Sequence, residues 1–180
     1  MTAGSLPPSI SSVVSEPIQI VPYDPAWPVT LQTLRSRLYD AVGHLAVAVE
    51  HVGSTAVSGL AAKPILDVDV VMRSASDLAD AICRLGGIGY VHLGDQGVPG
   101  REAFAGPQGS PQHHLYLVVQ GSEALRNHVQ FRDYLRAHPD KAAEYSLLKR
   151  KLALRFRDDR DGYTEGKTEF VKGVLYLLGS

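Results

Sequence analysis

Two aspartates, Asp67 and Asp69, alternate with apolar residues, and a Gly-Ser pair, Gly53-Ser54, stands upstream with twelve residues between Ser54 and Asp67. These are residue types that hold a cation and a phosphate. Residues 65–72, ILDVDVVM, have the composition of a strand, and Pro64 bars a helix from running into it. Strand side chains alternate, so Asp67 and Asp69 share one face while Leu66, Val68 and Val70 take the other. At about 3.3 Å per residue the two carboxylates lie roughly 6–7 Å apart, and a cation between them relieves their repulsion. Hard oxygen ligands of this kind suit Mg²⁺ or Mn²⁺. A half-buried strand with a solvated acidic face is the plain alternative.

The elements around the pair must bring an anion to it. Residues 46–52, AVAVEHV, read as a second strand ending at Gly53, where a glycine lets a ligand or another backbone approach closely. Ser54 and Thr55 read as caps of a short helix whose free N–H groups would meet a phosphate; an ordinary turn is the alternative. A nucleoside triphosphate with its divalent metal needs both halves, the anion-binding corner and the metal-binding strand.

The order Gly-Ser, short helix, hydrophobic-Asp-hydrophobic-Asp resembles the nucleotidyltransferase superfamily, the fold of DNA polymerase β and the aminoglycoside nucleotidyltransferases. More narrowly, HVGSTAVSGLAAKPILDVDV (51–70) resembles the GrpB family within it. VPYDPAWP (21–28), GVPGREAF (97–104), HHLYLV (113–118), FRDYLRAHPDKAAEY (131–145) and YTEGKTEF (163–170) are similar to that family's blocks, in the same order. The resemblance covers roughly residues 18–178. It implies an enzyme that binds a nucleoside triphosphate with Mg²⁺ or Mn²⁺ and passes the nucleotidyl group to an acceptor the sequence does not name. Asp67 and Asp69 would bind the metal, and Gly53 and Ser54 the phosphates. Lys63, Arg101, Lys149 and Lys167 lie beside or within the family-like blocks and could hold phosphate oxygens; charges on helix surfaces are the other reading of Lys149 and Lys167.

One part of the pattern is missing. Such nucleotidyltransferases use a third carboxylate on a neighbouring strand, and the strand at 113–119 has no acid. Alternation sets His114 and Tyr116 on one face of it and His113, Leu115 and Leu117 on the other. His114 then serves as a base or metal ligand beside the aspartates, or is a hydrogen-bonded sheet residue. Neutral imidazole suits Mn²⁺ or Zn²⁺ better than Mg²⁺. His51 could also face the cleft; His44, His92, His128 and His138 read as surface residues. The missing acid keeps a second function open, a catalytically inactive nucleotide- or partner-binding, chaperone-like module of the same fold. A similar domain joined to dephospho-CoA kinase in some bacteria implies such a helper role by analogy. A metal-dependent hydrolase using His114 and the aspartates is a third.

Composition sets broad bounds. At 180 residues the chain is read as a flexible Ser- and Pro-rich tail over 1–17 and a single domain over 18–180. Net charge is −1, which gives no reason to expect nucleic acid as a partner without excluding it. The charge is uneven: residues 1–125 hold six Lys/Arg and eleven Asp/Glu, residues 126–180 twelve and eight. A basic C-terminal part facing an acidic site suits an anionic substrate. The lone Cys83 permits no internal disulfide and reads as a small core residue. Without an apolar run of about 18 residues or a secretory pattern, the expectation is a cytoplasmic protein with no membrane partner.

Further along, Trp27, Leu31, Leu34, Leu38 and Val42 keep helical spacing after an Asp24-Pro25 start. A helix is expected over 76–86 with Ser76 as cap, a strand over 89–93, an arm at Arg101–Ala105 and the 113–119 strand. Three helices follow, near 122–138, 139–157 and 163–178, joined at 158–162. The whole reads as an α+β domain, a nucleotidyltransferase-like small mixed sheet with helices on one face and a helical C-terminal portion.

Overall fold

The computed structural model describes residues 17–179. Five strands form one mixed sheet in the order β1-β2-β5-β4-β3. They are β1 (Ala46–Val52), β2 (Leu66–Met72), β3 (Val91–His92), β4 (Arg101–Ala105) and β5 (His113–Val119). β1 runs antiparallel to β2, β2 parallel to β5, and β4 antiparallel to both β5 and β3. β2, β5 and β4 are therefore the inner strands, and β1 leaves a free edge. The mixed α+β architecture is the expected one.

Period-two alternation sorts the two faces. Val49, Leu66, Val68, Val70, Leu115 and Leu117 point to the main core. That face is covered by α1 (Trp27–Val42) and α2 (Leu78–Gly87). Trp27, Leu31, Leu34, Leu38 and Val42 are all buried, as their helical spacing requires. Asp67, Asp69, Val71, His114, Tyr116 and Val118 take the opposite face. There α3 (Glu123–Ala137), α4 (Pro139–Arg155), α5 (Arg160–Glu165) and α6 (Thr168–Leu177) gather. Helices thus lie on both faces, and the helical C-terminal portion closes the polar one.

Several boundaries depart from the sequence reading. The first helix begins at Trp27; Asp24 instead receives the Ala26 N–H at 2.8 Å in the preceding turn. Ser74, not Ser76, caps the 75–77 turn before α2, accepting from Ser76 N–H. The strand at 89–93 shrinks to two residues because Gly89 has positive φ and ends the preceding turn. The last helix breaks at Gly166-Lys167 into α5 and α6, and Asp159 caps the former through Gly162 N–H. Cys83, read as a core residue, is exposed on α2. The proposed tail lies outside the described residues except for Pro17.

Candidate functional site

Register brings the two motif halves together. Val52 lies opposite Asp67 and Glu50 opposite Asp69 across the β1–β2 pair, so the turn after β1 rises beside Asp67. Gly53 adopts φ 69° and ψ −167°, a conformation that only glycine holds without strain. A Cβ built there would collide with the Asp67 carboxylate at Oδ2. The glycine therefore serves a close approach, and the corner and the acid share one side of the sheet.

The short helix after Gly53 is a single 3-10 turn, Ser54–Ala56. Neither Ser54 nor Thr55 caps it. The Ser54 Oγ instead receives a hydrogen bond from Lys149 Nζ at 2.8 Å, and Thr55 Oγ1 lies 2.9 Å from His51 Nε2. Burial holds the His51 ring near a pKa of about 4, so it is neutral. His51 lies opposite Val68, on the other sheet face from the aspartates, and borders a separate groove.

A cavity of about 260 Å³ opens beside this corner. Ser54, Lys63, Asp67, His114, Lys149 and Lys167 all line it. Three lysines from three separate segments thus converge around one partly exposed carboxylate. Each stands over an aromatic face: Lys63 and Lys167 lie 5.5 and 4.5 Å from the Tyr163 ring centre, and Lys149 4.6 Å from that of Tyr145. Lys149 is 2% exposed, and its second bond goes to the Ala61 carbonyl. Burial pulls its pKa down to about 7, Lys167 adding to the shift and Asp67 opposing it. Lys167 falls to about 8 through burial and the charge of Lys63, and burial also lowers Lys63. These are cations held in short supply of counter-charge.

The other aspartate is shut away. Asp69 is 0% exposed and does not line the cavity. His128 of α3 reaches down to it, with Nδ1 2.8 Å from Oδ2. Burial raises the Asp69 pKa, against the hydrogen bond to His128. Burial alone would lower that of His128, but the bond and charge of Asp69 raise it. Asp69 Oδ1 is buried with no hydrogen-bond partner among the described residues. Arg101, expected among the phosphate-holding cations, also stands apart from the cavity. Its guanidinium lies 4.6 Å over the Tyr116 ring.

His114 occupies the register position beside Asp67, and its Nδ1 is 2.9 Å from Asp67 Oδ1. His113 turns to the core face and meets the Tyr90 hydroxyl at 2.8 Å. Among the described residues no group of three or more His, Cys, Asp or Glu side chains is assembled for a metal ion. The donor set fits a more limited task. Of the two carboxylates, Asp67 opens on the cavity and would offer a hard divalent cation an oxygen, whereas Asp69 lies sealed beneath His128 with one oxygen unpartnered. They do not make a closed protein cage.

The GrpB family model, described as GrpB protein, matches residues 17–176. The chain belongs to the GrpB family. The UPF0157 protein YqkA of Bacillus subtilis is 35% identical over 155 residues, covering 86% of this chain and 45% of YqkA. A dephospho-CoA kinase of Mycolicibacterium paratuberculosis is 29% identical over 91% of this chain but 46% of that protein. The chain thus spans about half the length of these relatives. The crystal structure of GrpB from Enterococcus faecalis superposes with a TM-score of 0.79 at 30% identity, covering 87% of this chain and 94% of that one. The Cid1 poly(U) polymerase, solved with MgGTP bound, aligns at a TM-score of 0.53 and 14% identity over 72% of this chain and 43% of that one. At that identity the likeness is one of fold, and it makes this GrpB-family sheet distantly nucleotidyltransferase-like.

His128 is the residue that sequence reading missed. Its signal was present: Ala124, His128, Arg132 and Leu135 recur at helical spacing, the face that α3 turns to the sheet. Arg132 and Arg136 stand four residues apart on α3. Both contact Asp133, but Arg132 is buried and also holds Glu50 at 2.7 Å, and Arg136 bonds the Ala56 carbonyl.

Proposed function

We propose that this chain binds a nucleoside triphosphate with its divalent metal at the Gly53–Asp67 corner and transfers the nucleotidyl group to an acceptor hydroxyl. What carries the reading is the convergence of Lys63, Lys149 and Lys167 on a cavity that Asp67 and Ser54 also line. Each lysine regains its full charge beside a polyphosphate, and the Ser54 hydroxyl adds a neutral donor. Asp67 would hold Mg²⁺ or Mn²⁺, and Asp69 would join it only past His128. When bound, that ion neutralises charge on the reacting phosphate.

His114 supplies the base that the absent third acid would have been. When its Nδ1–H donates to Asp67, the Nε2 lone pair is left free, as in other carboxylate-oriented imidazoles. The acceptor oxygen forms a bond to the α-phosphorus, the bond from that phosphorus to the bridging oxygen breaks, and pyrophosphate leaves. The hydroxyl proton passes to His114 Nε2. Titration calorimetry with ATP, GTP, CTP and UTP, each with Mg²⁺ or Mn²⁺, tests binding. Micromolar binding that Asp67→Asn abolishes is expected; equal binding by that variant, or none by any triphosphate, overturns the proposal.

A second reading keeps the nucleotide and drops the transfer. The closure of Asp69 under His128 favours it, since only one of the two acids lines the cavity. Incubation with α-labelled triphosphates and cell extract separates the two: label moved onto an acceptor supports transfer, and binding without label movement supports the module.

A further inference from the structure

On the far side of the 54–56 turn from the lysine cavity lies a groove of about 1130 Å³. It follows the free edge of β1, between α1 and the α3–α4 pair. Thr55 borders both spaces, so one turn is the wall between them. Among the described residues four arginines line the groove, Arg35, Arg132, Arg136 and Arg150; Glu50 shares the lining, and Asp133 beside it pairs with Arg132 and Arg136. The arginines come from three helices, so helix-surface periodicity does not account for their meeting.

Part of their capacity is structural. Arg35 donates to the Val49 carbonyl at 2.7 Å and Arg132 to the His51 carbonyl at 3.0 Å, both on the outward side of β1. Capping edge carbonyls in this way blocks pairing with another strand. Arg132 is then saturated by Glu50 and Asp133. Arg35 and Arg150 have no carboxylate partner among the described residues, and Arg35 Nε is buried with no hydrogen bond. Between the cations the lining is mixed: Leu31, Val57, Leu135 and the exposed Leu147 give an apolar strip beside Gln32 and Ser146. Unneutralised guanidinium forks beside an apolar strip match one ligand chemistry: an anionic head on a hydrophobic body.

We propose that this groove is a second ligand site, separate from the nucleotide cavity, which takes a small phosphorylated molecule with an apolar body. Arg35 and Arg150 hold the phosphate and the leucines hold the body. The site does not depend on nucleotidyl transfer, and its test uses no nucleotide. Phenyl phosphate is titrated into the full chain while backbone amide shifts are followed by NMR. Saturable shifts centred on residues 31–35 and 146–150 are expected. Arg150→Glu, at an exposed position whose loss leaves the fold intact, is expected to weaken binding by about tenfold or more. Arg35→Gln should weaken it too, and its amide dispersion reports whether β1 stays formed. Shifts confined to residues 53–67, or an unchanged affinity in Arg150→Glu, overturn the proposal. Equal binding of benzyl alcohol also overturns it, because the cations would then read nothing.

Discussion

Asp67 and Asp69 sit two residues apart on one face of one strand, and each has a histidine Nδ1 within 3 Å, yet their surroundings differ throughout. The Asp67 side chain is 31% exposed, faces three lysines and lies against a glycine. Asp69 is sealed beneath α3 with one oxygen unpartnered. What separates them is what the next layer contributes. Over Asp67 the C-terminal helices deliver lysines around an opening, whereas over Asp69 α3 lays a histidine directly on the carboxylate. A shared strand face therefore makes two acids neighbours without making them equivalent, and any cation held by both must reach past His128.

The largest test of this contrast is to remove each histidine. His128→Ala leaves a buried carboxylate without its partner, which should cost about 3 kcal/mol of stability in urea denaturation. His114→Ala releases a partly exposed pair and should cost under about 1 kcal/mol. Adding Asp69→Asn to His128→Ala should recover part of the larger loss, because the uncompensated charge is gone. Equal losses from the two single variants would mean that Asp69 is no more enclosed than Asp67.

A smaller effect sharpens the glycine's part in the comparison. Gly53 and Gly59 both have positive φ, 69° and 78°, but a Cβ at Gly59 meets nothing within 4 Å. Gly59→Ala should therefore cost about 1 kcal/mol, the backbone strain alone. Gly53→Ala adds a collision with the Asp67 carboxylate and should cost about 2 kcal/mol or more. Chemical denaturation of the pair measures the difference. Matching values would remove the close approach as the reason for the glycine.

The strands and the long helices were legible because period-two and period-3.6 burial is local. ILDVDVVM and HHLYLVV could each be assigned a face without knowing their neighbours. Convergence of Gly53, Ser54, Lys63, Lys149 and Lys167 on Asp67 was legible only through the family resemblance, since the register that joins them spans nearly the whole domain. His128 lies within reach of helical periodicity, although it reads as a surface residue when taken alone. The break between α5 and α6 was not readable, because Gly166 keeps helical backbone angles and its lack of a Cβ answers to Leu152 of α4, a contact far away in sequence. Arg101 was not placeable from sequence for another reason: β4 carries it on the same face as the aspartates, but over Tyr116 and not in the cavity lining.

The smallest expected effect concerns protons, and it tests the open side. With folded pKa values of about 7 for Lys149 and about 8 for Lys167, both below the usual lysine value, the unfolded chain binds more protons than the folded one above neutrality. These groups therefore make stability rise with pH from about 7 toward 10.5, and they oppose folding below that window. A polyphosphate beside them restores the charged forms. Binding at pH 8 should then take up roughly one proton, and at pH 6, where both lysines are already charged, almost none. Calorimetry of ATP with Mg²⁺ in buffers of different ionisation enthalpy reads this directly. Lys149→Met should remove most of the uptake, since Lys149 is the more depressed of the two. Uptake that stays the same at both pH values would place the proton-linked group elsewhere, and the triphosphate would not be meeting these lysines.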